Sequence, residues 1–165
     1  MRSKQKNLRG VGNVLLCLVF AAGPASAATE VYMAIDGSRQ GQFKGESLRQ
    51  IGGTNWIPLQ KITFVNGIPK TQFAKGSPGR LELHQVRIVK HAGAASRQIW
   101  RAMGDKEVLR RVVIEFVHRG SNGAEQVERT ITLRDVTVST AAHKLNHVDE
   151  MTFTYRALVM DSKSR

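Results

Sequence analysis

The sequence predicts a mainly β domain with one short α-helix, its strands turning corners as in an orthogonal sandwich or a small barrel. Three observations carry this. First, residues 108–139 read as one long antiparallel hairpin. Val112, Val113, Ile114, Phe116 and Val117 fill one arm, and Val127, Thr130, Ile131, Thr132, Val136 and Val138 the other. Such β-branched and aromatic residues suit strands, and the arms flank Arg119-Gly120-Ser121-Asn122-Gly123. Asn-Gly between apolar runs is a strong hairpin signal, because both residues accept positive φ. Second, three predicted strands carry an apolar alternation that changes phase once in mid-strand. Third, only one stretch, near residues 96–104, has helical periodicity.

The chain has 165 residues, enough for one domain. Residues 1–27 read as a secretory signal. Arg2, Lys4, Lys6 and Arg9 form a basic start, Val11–Ala22 a short apolar run, Pro24 a break, and Ala25-Ser26-Ala27 a small-residue cleavage site. Cleavage is expected between Ala27 and Ala28. The apolar run falls short of the ~20 residues that span a bilayer. Cys17, the only cysteine, lies inside the run after Leu16, a poor context for lipidation. The mature chain, residues 28–165, is thus expected to contain no disulfide, thiol nucleophile or stable membrane anchor. Taking four basic residues and no acidic one from 25 Lys+Arg and 13 Asp+Glu leaves it a net charge of +8. That favours anionic partners in general. With few stacking aromatics it does not point to specific nucleic-acid binding.

Val31, Met33 and Ile35 mark a first strand over 30–36, ended by Asp36-Gly37-Ser38. Residues 37–54, rich in Gly, Ser and Gln, read as a long loop with a short strand or turn near Lys44–Leu48. They lack GxGxxG or Walker spacing, so the glycines are turn formers. A second strand covers about 57–66. Its apolar residues are Ile57 and Leu59, then Ile62 and Phe64. The third has Leu81 and Leu83, then Val86 and Ile88; the long return arm has Val127, Ile131 and Leu133, then Val136 and Val138. A strand cannot keep one face in the core across such a switch without a bulge or a bend. Either the strands pass from one sheet to the facing one, or a neighbouring subunit buries the second face.

Between strands two and three, Gly67–Gly79 carries prolines and glycines but no acid. Lys70, Lys75 and Arg80 make this region basic, with Phe73 at its middle and Asn66 at its entry. A long loop of this kind with an apolar tip reads as a contact surface. Ser96 is a plausible N-cap for the helix, which would pack on the sheet through Ile99, Trp100 and Met103 and stop at Gly104. The last strand shows the cleanest alternation: Met151, Phe153, Tyr155, Ala157 and Val159.

No stretch carries a catalytic constellation. His143 and His147 are four apart, but Lys144 stands where the metalloprotease motif requires Glu, and the stretch reads as a loop between strands. Asp149 and Glu150 are adjacent and would face opposite sides of a strand. A G-x-S-x-G elbow is missing. No metal, cofactor or enzymatic activity is expected.

The order of elements and several phrases resemble the Hcp family, the haemolysin-coregulated proteins of type VI secretion. The phrases are VYMAIDG, Lys44-Gly45-Glu46-Ser47, the tract Trp56–Val65, GRLELHQVRIVKH, SRQIWRAMG, EQVERTITLRDVTVS and MTFTYRALVM, spread over residues 31–160. The resemblance implies a small β-barrel of two antiparallel sheets with one short α-helix. It implies hexameric rings that stack into a tube inside a contractile sheath, with small effectors held in the lumen. It implies ring-to-ring contact through the loop at Gly67–Gly79, hence through Asn66, Lys70, Phe73, Lys75 and Arg80, and partners among other secretion-system components or small effector proteins. It implies no enzymatic activity. An export signal departs from the family, whose tubes assemble in the cytoplasm. Two readings follow: a self-assembling ring subunit, exported or cytoplasmic, or an exported periplasmic or secreted binding module that reuses the barrel.

Overall fold

The computed structural model describes residues 29–47, 49–51, 54–65, 84–120 and 124–162. Along these the elements run β1 (Thr29–Gly37), β2 (Gly41–Gln42), β3 (Gln50–Ile51), β4 (Thr54–Asn55), β5 (Ile57–Leu59), β6 (Lys61–Phe64), β7 (His84–His91), α1 (Ala94–Gly104), β8 (Leu109–Arg119), β9 (Glu125–Lys144), a 3-10 turn (Leu145–His147), β10 (Val148–Tyr155) and β11 (Ala157–Ser162). All ladders are antiparallel, as the expected fold class requires. The main sheet follows the order β2-β1-β8-β9-β10-β7-β6, with β11 paired to β9 and β5 paired to β1. Among the described residues this path of ladders does not close into a continuous ring. β5 and β6, joined at Gln60, instead pair with strands far apart on it, β1 and β7. Here the chain turns the corner between two layers.

The phase switches mark these corners. In the second strand the switch falls at Gln60, between Leu59 on one layer and Ile62 on the other. In β9, residues 125–136 pair with β8, while 137–144 pair with β10. Just before the changeover Asp135 takes φ 51°, a left-handed conformation that re-aims the strand. Leu133 and Val136 are then both buried despite their opposite parity. The switch expected between Leu83 and Val86 begins outside the described residues.

A further corner was not expected. The last strand is two: β10 ends at Tyr155, and β11 begins at Ala157 on the other layer, against β9 residues 129–134. The alternation therefore breaks at Arg156. Leu158, not Val159, points inward, and Val159 is 38% exposed. The Arg156 N–H donates to the Arg134 carbonyl at 3.3 Å, so the two strands bend side by side.

The core between the layers is built from Met33, Ile35, Val86, Ile88, Val112, Ile114, Ile131, Leu133, Met151, Phe153 and Tyr155. The helix adds Ala95, Ile99 and Ala102. Of the three residues expected to dock it, Ile99 is fully buried and Met103 packs against the core. Trp100 is 39% exposed and is not a core residue. Successive helical residues lie about 100° apart. The buried stripe centres on Ala95, Ile99 and Ala102, which leaves Trp100 at its edge. The described residues of 37–54, expected as a long loop, hold the end of β1, the short strands β2 and β3 and the start of β4. At the end of the long hairpin the Gly120 N–H donates to the Ala124 carbonyl at 2.9 Å.

Candidate functional site

The period of the strands places two charged residues inside. On β7 the inward positions are Val86, Ile88 and Lys90; on β10 they are Asp149, Met151, Phe153 and Tyr155. Lys90 and Asp149 are cross-strand partners, and both are buried. Buried charges require partners, and the N-terminus of α1 supplies them. Lys90 Nζ donates to the His91 carbonyl and to Ser96 Oγ at 3.2 Å, and lies 3.4 Å from Glu46 Oε1. Ser96 Oγ donates to Asp149 Oδ2 at 2.5 Å and accepts the Gly93 N–H at 2.9 Å. His143 Nδ1 meets Asp149 Oδ1 at 2.7 Å. Burial pushes the Asp149 carboxyl up, but the bonds from Ser96 and His143 and the charge of Lys90 outweigh it, and its pKa lies below the usual range.

The helix starts two residues before the predicted cap. Gly93 occupies the cap position and has no side chain to offer. The free N–H of Ala95 is taken instead by Glu46 Oε1 at 2.8 Å, a carboxylate far away in sequence. A Cβ on Gly93 would lie 2.6 Å from Glu46 Cγ and Oε1, so glycine leaves room for this cap. Gln98 ties the helix to the 37–56 segment: its Oε1 accepts the Lys44 N–H at 2.7 Å.

A cleft of about 340 Å³ lies over this cluster, lined by Ala92, Ser96, Arg97, Trp100, His143 and Asp149. It unites a serine, a histidine and an aspartate, but in the wrong order for nucleophilic catalysis. Asp149 stands between the other two. Ser96 gives its proton to a carboxylate of lowered pKa, a feeble base, and the imidazole that activates a serine nucleophile does not reach it. The arrangement fastens the helix and the β9–β10 turn to the sheet. His143 and His147 lie with ring centroids 6.1 Å apart. Among the described residues no group of three or more His, Cys, Asp and Glu side chains converges to hold a metal.

Two other polar anchors hold the 37–56 segment. Glu107, buried, accepts the N–H groups of Arg39 at 2.6 Å and Gln40 at 3.0 Å, and the Gln40 amide at 2.8 Å. Burial pushes its carboxyl up, and these bonds bring it below the usual range. Arg49 lies over the rings of Tyr32 and Trp56, at 5.0 and 5.3 Å, and pairs with Glu125 at 2.7 Å and Glu115 at 3.1 Å.

The sequence-derived contact loop, Asn66, Lys70, Phe73, Lys75 and Arg80, lies outside the described residues, as do Ala27 and Ala28. Sequence reading did not single out Lys90, Glu107 or Arg49 and set Asp149 aside. Strand parity held a signal for two of them, since Lys90 continues the inward series of Val86 and Ile88, and Asp149 that of Met151.

The fold and its polar clusters define a β-sheet domain whose buried charges find partners within the chain. The family described as Type VI secretion system effector, Hcp matches residues 32–161. The chain belongs to this family. Among solved structures, the Hcp1 protein of the E. coli EAEC 042 pathovar is 17% identical, with a TM-score of 0.63 over 82% of this chain and 99% of that one. Hcp3 of Pseudomonas aeruginosa is 19% identical, with a TM-score of 0.59 over 81% and 99%. Hcp1 of Salmonella typhimurium is 12% identical, with a TM-score of 0.60 over 83% and 87%. At these identities the likeness establishes the fold alone. No curated protein matches the chain.

Proposed function

We propose that this protein is a structural ring subunit of the Hcp type, which self-assembles into hexamers and stacks them into a tube able to hold small effectors in its lumen, without a reaction of its own. The observation that carries this is the family match over nearly the whole mature chain. Light scattering on a sizing column tests the reading. A mass six times the protomer is expected, and a monomer over a wide concentration range would overturn it in favour of a binding module on the same fold.

The pattern of residues 1–27 supports export before assembly, so that rings form in the periplasm or outside the cell. N-terminal sequencing of the exported protein is expected to begin at Ala28. Retention of residues 1–27 on assembled protein would instead place assembly in the cytoplasm.

A further inference from the structure

Read from sequence, His143 and His147 belong to a loop between strands. The structure places them at the tip of a tight hairpin instead. β9 and β10 pair up to Lys144 and Val148, and only Leu145, Asn146 and His147 lie between them. Asn146 takes φ 62° and His147 φ 55°. Consecutive left-handed residues without a glycine are costly, and here they turn the chain back at once. The His147 carbonyl accepts the Ala92 N–H at 2.8 Å, which ties the tip to the residue after β7. The two imidazole rings then stand with centroids 6.1 Å apart and planes 63° from parallel.

His143 is oriented from within. It lies directly opposite Asp149, and its Nδ1 is 2.7 Å from Asp149 Oδ1. Asp149 is buried, its other oxygen is held by Ser96, and its lowered pKa keeps it ionised. A carboxylate only accepts hydrogen bonds, so the proton between the two groups sits on Nδ1. In the neutral imidazole Nε2 then carries the free lone pair, on a side chain that is half-exposed. A carboxylate behind one ring nitrogen, with the other nitrogen left bare, is how histidine ligands are oriented in metal sites. The spacing of the rings agrees. With metal–nitrogen bonds of about 2.0–2.1 Å, two imidazoles on one ion have ring centres roughly 5–6.5 Å apart. His147 is exposed, so its ring can turn into place without disturbing the core.

We propose that His143 Nε2 and the His147 ring hold a divalent transition-metal ion on the β9–β10 hairpin, with water at the remaining positions. Imidazole nitrogen suits Cu²⁺, Ni²⁺ and Zn²⁺, whereas Mg²⁺ and Ca²⁺ take oxygen ligands. Two protein ligands make an open site rather than a closed structural one. The other histidine near the tip does not complete it. His91 stands opposite Val148, on the other face of the ladder, and its Nε2 meets Gln60 Nε2 at 2.7 Å. Arg97 lines the same cleft as His143, but it is exposed and solvated and opposes a cation only weakly. The site lies within one protomer and does not depend on assembly.

Isothermal titration calorimetry on the full chain, without an affinity tag and in a buffer that does not bind metals, tests this. One Cu²⁺ per protomer is expected to bind, with Ni²⁺ and Zn²⁺ weaker and Mg²⁺ not binding, in the order that nitrogen ligands impose. His143→Gln and His147→Gln should each weaken Cu²⁺ and Ni²⁺ binding by about ten-fold or more. His91→Gln and His118→Gln should leave it unchanged. Both ligand rings reach solvent, and circular dichroism checks that each variant folds. The electron paramagnetic resonance spectrum of the Cu²⁺ complex should show coupling to two imidazole nitrogens, and to one in either ligand variant. Failure to saturate at one equivalent would overturn the site. Equal losses from all four histidine substitutions would show adventitious binding only and overturn it too. So would tight binding that His147→Gln does not change.

Discussion

Two regions of this protein treat charge in opposite ways. Beneath α1, Lys90, Asp149, Ser96 and Glu46 are drawn into one buried cluster in which each charge has its partner. On the outward face of β8, β9 and β11, Arg111, Arg134 and Asp161 remain exposed and form no ion pair among the described residues. Burial explains the difference. A charge removed from water must be paired within the chain or the fold is lost. A solvated charge costs little to leave free and remains available to another molecule. The first region reads as a fastening, the second as a surface for contact.

The largest effect is expected where the fastening is cut. Asp149→Ala removes the buried carboxylate that Ser96 and His143 hold, leaves Lys90 with Glu46 alone, and should cost about 3 kcal/mol, since removing one member of a buried charged network costs about 3–5 kcal/mol. Urea unfolding measures it, and a loss under 1 kcal/mol would mean that the cluster is not what holds the helix. Gly93→Ala should cost less, about 1–2 kcal/mol, by pushing Glu46 off the helix N-terminus. The matching change Gly104→Ala, at an open position, should stay within about 0.5 kcal/mol.

Acid should loosen the same region. Asp149 and Glu107 both have folded-state pKa values below their ordinary ones. Their stabilising contribution is complete above the unfolded carboxylate range of about 4, and is lost as pH falls through the depressed folded values. Urea midpoints taken from pH 7 downward should hold until about pH 4 as far as these groups are concerned, then decline. Glu107→Gln should shallow that decline, and an unaltered profile would place the acid sensitivity elsewhere.

The smallest effect on protomer stability belongs to the outward face. Val159→Thr should change it by about 0.5 kcal/mol or less, because the side chain is already 38% exposed. A larger loss in the dissociated protomer would erase the contrast between the two regions. The left-handed residue Asp135 of β9 should respond with the opposite sign. Asp135→Gly relieves a left-handed residue at φ 51° and should stabilise by up to about 1 kcal/mol in thermal or urea unfolding.

Much of the architecture was legible in the order of residues. The hairpin around Gly120, the corner at Gln60 and the corner between Leu133 and Val136 each left a mark in the alternation of apolar side chains, because a strand that changes sheets must change which parity faces the core. The corner at Arg156 left no such mark. Ala157, Leu158, Val159 and Met160 are all apolar, so either parity passes for the inner face. The helix was placed to within three residues. Its cap was misplaced, because Gly93 borrows Glu46 from a distant loop, and no local pattern records a loan of that kind.

By itself, then, the sequence determined the class of fold, the hairpin, two of its corners and the family resemblance, since period and propensity are local properties of the chain. The tertiary structure decided which charges are spent inside and which are left outside. Lys90 and Arg134 are both basic residues on strands with apolar neighbours. Only the register of β7 against β10, and of β8 against β9, shows that one meets an aspartate in the core and the other an arginine in solvent. That outcome depends on pairings between distant segments, and no stretch of the chain read alone contains it.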